Sequence, residues 1–206
     1  MLTELRADQP IRLPDVPLDL RWQMPPERWD LSGGDLAIRA GARTDLFVDP
    51  SGGPAVANAP RILGTVAGDF LLSARVTVDF AARFDAGVLL LYVDDGSWAK
   101  LCFEYAPLDV PTVVSVVTRG VSDDCNSYPV GGNTTWLRVA RQGGAFAYHS
   151  STDGVRWQLV RHFDLTPTAG VAVGFLAQSP EGEGCQATFD SIRYRTERLR
   201  DLRSGE

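Results

Sequence analysis

The chain has 206 residues, 44% of them hydrophobic and 22% charged, which excludes a disordered polymer and leaves ample length for one domain with its own core. A formal net charge of -6 argues against a general nucleic-acid binder and against recruitment to acidic membrane, since both concentrate Lys and Arg on one face. The cysteines, Cys102, Cys125 and Cys185, lack CxxC spacing, and His149 and His162 are too few for a His-based metal cluster, so no metal or other cofactor is expected.

Residues 1–28 contain Pro10, Pro14, Pro17, Pro25 and Pro26, each of which blocks a regular ladder or a helix interior. An extended lead-in crossing the body is expected there. The first ten residues lack the basic start and apolar run of a signal peptide, and no stretch approaches the roughly 20 apolar residues of a membrane span. A cytoplasmic location, with no membrane partner, is the expectation.

From Trp29 to about residue 196 the pattern changes to short runs of Val, Leu, Phe, Tyr and Trp broken by Gly, Asp, Asn and Pro. That is the pattern of an all-β sandwich. Strands are predicted over Asp35–Ala40, Phe70–Phe80, Gly87–Val93, Ser97–Tyr105, Thr112–Arg119, Thr134–Gln142, Ala145–Ser151, Arg156–Phe163, Gly170–Ala177 and Ala187–Tyr194. Asp94-Asp95-Gly96, Gly143-Gly144 and Asp153-Gly154 supply the residues tolerant of positive φ that tight hairpins use. The segments 49–60 and 120–133 lack strand character and read as long loops, functional or merely connecting. A charged tail, 197–206, carries a helical-looking stretch suited to a solvated end.

Closing a hairpin at Asp94-Asp95-Gly96 sets Tyr92 opposite Trp98 and Leu90 opposite Lys100. Period-two alternation then gathers Trp98, Lys100, Cys102 and Glu104 on one face. Lys100 is the only lysine of the chain. Pairing Tyr105 with Thr112 brings Ser115 beside Cys102 and Arg119 beside Trp98. The Gly143-Gly144 hairpin likewise separates Leu137, Val139, Phe146 and Tyr148, fit for the core, from Trp136, Arg138 and His149. Aromatic rings interleaved with hydrogen-bonding charges suit a sugar-binding surface. The same residues also admit a structural reading, with Trp136 and Arg138 as a packing pair under a covering loop and Lys100 and Glu104 as members of ion pairs.

Trp98-Ala-Lys100 with Glu104, Val114-Ser-Val-Val-Thr-Arg119 leading to Ser122-Asp123, Trp136-Leu-Arg138, and Ser150-Ser-Thr-Asp-Gly-Val-Arg-Trp157 with Arg161 occur in a recognisable order. Over roughly Trp22 to Arg195 the chain resembles the domain of unknown function 1349 family, also called regulation-of-enolase-protein-1-like. The resemblance implies a concanavalin A-like jelly roll of two antiparallel sheets, one concave. It also implies carbohydrate recognition, by fold-level analogy. Thr118 is a further shared position, and Asp153 and Trp157 are expected to shape their hairpin.

A glycosidase needs two carboxyls about 5.5 Å apart to retain configuration, or about 6.5–9.5 Å to invert it. Glu104 has no acidic neighbour at alternating spacing, and Asp123 is the one candidate partner. The expected function is therefore a non-catalytic binding module for a small carbohydrate or sugar-like ligand, its site built from Tyr92, Trp98, Lys100, Glu104, Ser115, Arg119, Trp136 and Arg138. The alternatives are a sugar-active enzyme centred on Glu104 and Lys100, and a regulatory protein-interaction domain.

Overall fold

The computed structural model describes residues 9–165 and 170–206; the first eight residues of the expected lead-in lie outside them. In chain order the strands are β1 (Arg21–Met24), β2 (Arg28–Ser32), β3 (Asp35–Arg39), β4 (Leu46–Phe47), β5 (Val56–Ala57), β6 (Arg61–Thr65), β7 (Phe70–Val78), β8 (Ala86–Asp94), β9 (Ser97–Ala106), β10 (Val110–Arg119), β11 (Val121–Pro129), β12 (Thr134–Gln142), β13 (Ala145–Ser151), β14 (Gln158–Asp164), β15 (Ala172–Gln178) and β16 (Gln186–Arg195). A first seven-stranded sheet runs β1-β6-β15-β8-β9-β10-β11, and a second runs β14-β13-β12-β7-β16-β3-β2. Every pairing is antiparallel. All ten predicted strands are present.

Alternation along the strands builds the core between the sheets. Leu89, Leu91, Ala99, Leu101, Phe103, Val113, Val117 and Phe175 from the first sheet meet Leu72, Ala74, Val76, Leu137, Val139, Phe146, Tyr148 and Phe189 from the second. Burying each large side chain is worth about 1.5–3 kcal/mol. The layers approach so closely that a Cβ on Gly87 would lie 2.6 Å from Val76 Cγ1. Residues of the lead-in close one end, because Ile11 and Leu20 exchange backbone hydrogen bonds and Ile11, Leu13, Val16 and Leu20 are buried.

Several expectations need correction. The lead-in is shorter than 28 residues, since β1 already belongs to the first sheet. Residues 121–129 form the edge strand β11 instead of a loop. Its polar sequence, Val-Ser-Asp-Asp-Cys-Asn-Ser-Tyr-Pro, suits an edge, with seven of its nine residues exposed. The tail beyond residue 197 is not helical; Leu199 and Leu202 pack onto Leu71, Ala140 and Ala147 on the outer face of the second sheet. Gly143 and Gly154 have the positive φ expected of them, but Gly96 does not. The β8–β9 turn closes instead through Gly96 N–H donating to Asp94 Oδ1 at 2.9 Å.

Candidate functional site

Nine of the ten residues of β9 are buried, on both faces. One face lies on the core, so the other must also be covered, and the cover is the flap carrying β4 and β5. Leu46, Phe47 and Val48 pack over Tyr92, Trp98, Cys102, Val114, Val116 and Leu176 as a second hydrophobic cluster. The flap is anchored at both sides. Thr44 exchanges backbone hydrogen bonds with Ser179, while Val48 O accepts from Ser122 N–H and Val48 N–H donates to Ser122 Oγ, which also pairs with Thr118 Oγ1.

Where the flap ends, a cavity of about 220 Å³ remains between Asp45, Phe47, Phe84, Lys100, Glu104, Val116, Asp124, Gln178 and Pro180. Lys100 is only 2% exposed. Its ammonium donates to Gln178 Oε1 at 2.9 Å and to Asp45 Oδ1 at 3.4 Å, leaving one of its three donors for a further acceptor. Burial disfavours the charged ammonium, but the fields of Asp45, Cys102 and Glu104 outweigh that and hold Lys100 above its ordinary value. Burial also pushes the Cys102 thiol well up, making it an inert packing group.

Glu104 is 8% exposed and accepts no hydrogen bond from the described residues. Burial lifts its carboxyl to about 8, with Lys100 opposing and Asp124 and Asp45 assisting. Asp124 is raised as well, chiefly by burial. At neutral pH the cavity therefore presents a protonated carboxyl and a charged amine, both carried by β9.

The mouth of the cavity is strained. Phe84 has φ of 66°, in the left-handed region that a bulky residue seldom occupies. Two anchors hold it there. Phe84 N–H donates to Tyr105 O at 2.8 Å, and Phe84 O accepts from Gln178 Nε2 at 3.3 Å. Asp85, wholly buried, accepts from Ala81 N–H, Ala82 N–H and Ser179 Oγ. Gln178 thus connects the strained backbone of Phe84 to the ammonium of Lys100.

Residues 22–197 match the family described as "Protein of unknown function (DUF1349)". The chain belongs to this family. It is 26% identical over 171 residues to "Regulation of enolase protein 1" of Saccharomyces cerevisiae, covering 82% of this DUF1349 chain and 85% of the yeast protein. A solved structure of a functionally unknown Saccharomyces cerevisiae protein superposes with a TM-score of 0.81 at 23% identity, over 87% of this chain and 97% of the other. The fold is shared more distantly with the GH43 protein BlXynB from Bacillus licheniformis (TM-score 0.66, 18% identity, 85% of this chain, 37% of that one). Carbohydrate-binding module CBM66 from Bacillus subtilis is similar in fold too (TM-score 0.55, 13% identity, 84% and 94%). The architecture is the jelly-roll sandwich.

Within this DUF1349 fold only Lys100 and Glu104 of the expected site residues line the cavity. Tyr92 and Trp98 sit opposite one another as the hairpin predicts, but under the flap, 7% and 1% exposed. Tyr92 donates to Asp95 and Trp98 packs beside the Lys100 ammonium, 5.7 Å from its ring centre. Ser115 and Arg119 are displaced by one register step. Thr112 pairs with Glu104, not Tyr105, so Ser115 lies opposite Leu101 on the core side and Arg119 opposite Ser97. Arg119 instead reaches Asp164 of β14 at 2.7 Å, tying the two sheets at their edge.

Trp136 and Arg138 are on the far side of the sandwich, on the outer face of the second sheet. Alternation places their faces correctly within the hairpin, but it cannot tell which sheet the hairpin joins. Asp123 likewise points away from Glu104 and pairs with Arg161 at 2.9 Å. Asp124 is the carboxylate that shares the cavity, because its opposite number on β10 is Val116, level with Lys100. Asp45, Phe84 and Pro180 come from connecting segments that no periodicity marks, Phe47 from the two-residue strand β4 and Gln178 from the last position of β15. The signal that was present is compositional: an unpaired Lys and Glu on one strand face require partners from elsewhere in the chain.

Proposed function

We propose that this protein is a binding module for a small carbohydrate or sugar-like metabolite, seated in the cavity at the edge of the flap. The supporting observation is Glu104, a nearly buried carboxyl with no hydrogen-bond partner among the described residues, facing the same space as the spare donor of Lys100 and the carboxyl of Asp124. A ligand hydroxyl would pair with Glu104, a hydrogen bond worth about 0.5–1.5 kcal/mol net. Phe47, Phe84, Val116 and Pro180 supply apolar walls for the C–H faces of a ring. The volume, about 220 Å³, is below the ~300–1,000 Å³ of pockets for larger ligands and suits one sugar unit. The fold's likeness to a carbohydrate-binding module points the same way.

The test is a thermal-shift titration against neutral, acidic and amino monosaccharides and short oligosaccharides. A ligand at about 100 times its Kd stabilises by about 2.7 kcal/mol, a shift of several degrees for a chain of this size. Glu104→Gln and Lys100→Met are expected to abolish the shift. Silence across the panel, or a hit indifferent to both substitutions, would refute the proposal. Turnover of a bound sugar that is lost in Glu104→Gln would make the same cavity an active site. The name of the yeast relative favours a second reading in which the domain serves regulation; a partner captured equally well by Glu104→Gln and wild type, and not displaced by sugars, would support it.

A further inference from the structure

A second groove, of about 310 Å³, lies on the outer face of the second sheet, on the opposite side of the sandwich. Its floor is set by register. Arg138 of β12 and Arg193 of β16 both pair with Ser73 of β7, so the two guanidinium stems flank one serine. Arg195, one row along opposite Leu71, adds a third. Trp136 and Trp157 form the walls.

The charge in this groove is unbalanced. Arg195 has Glu197 at 3.1 Å, whereas Arg193 makes no ion pair with any described residue. Arg138 is 6% exposed, and its Nε has no hydrogen-bond partner. Its guanidinium stacks 4.2 Å from the Trp157 ring centre, which fixes its plane, and it donates through Nη2 to Gly205 O at 2.8 Å. Asp153 also borders the groove, but its carboxylate is turned to its own loop, accepting from Val155 N–H, Arg156 N–H and Ser151 Oγ. Three guanidinium groups against two carboxylates, Glu197 held by Arg195 and Asp153 by its own loop, make a cationic pocket in a chain whose net charge is -6.

We infer that this groove is an anion site for a phosphomonoester carried on a ring, such as a sugar phosphate or a nucleotide. Planar guanidinium groups match phosphate oxygens in geometry as well as charge, and a dianion satisfies the two that lack a carboxylate partner. The serine hydroxyl adds a donor from the floor. The indoles provide faces on which a sugar or base can stack. The inference is independent of the cavity at Lys100 and Glu104.

The probes are inorganic phosphate, glucose 6-phosphate and AMP, with glucose and adenosine as uncharged controls, titrated calorimetrically into the full chain at low ionic strength. One or both ring phosphates are expected to bind at least tenfold more tightly than inorganic phosphate, and to weaken as salt is added. Whichever of the two binds more tightly identifies the ring. Arg193→Ala, an exposed position where folding is not at stake, is expected to lower affinity about tenfold without moving the melting temperature. Binding undiminished in Arg193→Ala would refute the site. Equal affinity for all three phosphates would refute the part assigned to the indoles. No binding of any of them at millimolar concentration would refute the inference outright.

Discussion

Replacing Glu104 by Gln should change how stability depends on pH, by an amount that its burial fixes. In the folded protein the carboxyl keeps its proton up to about pH 8, against an ordinary value of 4.5. Between those values the native state holds a proton that the unfolded chain releases, so the stabilisation is complete below 4.5 and is lost as pH rises through about 8. At about 1.4 kcal/mol for each pH unit the whole window is worth about 5 kcal/mol, of which about 3 falls between pH 6 and 8. Urea unfolding of wild type and Glu104→Gln at pH 5, 6, 7 and 8 isolates this, because every other titrating group is common to both. The stability difference, wild type minus variant, is expected to fall steadily with pH. Parallel curves would refute the reasoning and would mean that water or a conformational adjustment solvates the Glu104 carboxylate.

Other expectations follow from packing and burial. Trp98→Ala should cost about 3–5 kcal/mol of stability, measured by denaturant unfolding, because Trp98 is a core residue of the flap cluster, 1% exposed. His149, whose Nε2 lies 2.7 Å from Leu202 O, is lowered by burial from 6.5 to about 4. Its native state refuses a proton that the unfolded chain accepts, so stability should rise by about 3 kcal/mol between pH 4 and 6.5, a slope visible in the Glu104→Gln background. Gly154→Ala should cost about 1–2 kcal/mol by thermal melting, since φ is +72° there and the new Cβ would lie 2.7 Å from the Trp136 indole. A melt unchanged by that substitution would mean the β13–β14 connection has room to rearrange.

Legibility from sequence followed the physical range of each signal. The ten strands predicted from hydrophobic alternation are all present, because the core imposes period two on every strand that crosses it. The Trp98–Tyr92 and Lys100–Leu90 pairings followed from a short turn, whose length fixes register. Across the longer β9–β10 connection the same logic slipped by one residue, and that was enough to move Ser115 and Arg119 off the expected face. Strand β11 was missed because an edge strand with polar side chains obeys no burial pattern. Trp136 and Arg138 were sorted correctly within their hairpin and assigned to the wrong side of the molecule, since local alternation carries no information about which sheet a hairpin enters. Lys100 and Glu104 were found because buried charges on a strand are rare enough to stand out, while their partners Asp45, Asp124 and Gln178 became visible only when the chain was folded around them.

The flap gives Lys100 an unusual chemical isolation. It is the chain's only lysine, it is 2% exposed, and the segment that shields it is held by hydrogen bonds at Thr44 and Val48. An amine-selective acylating reagent has therefore a single side-chain target, reached through the cavity at the edge of the flap. The rate at which the peptide holding Lys100 gains an acyl group would then measure how readily that cavity admits a small molecule in the native state, without a probe being introduced, and a ligand seated there would register as a slowing of that single reaction.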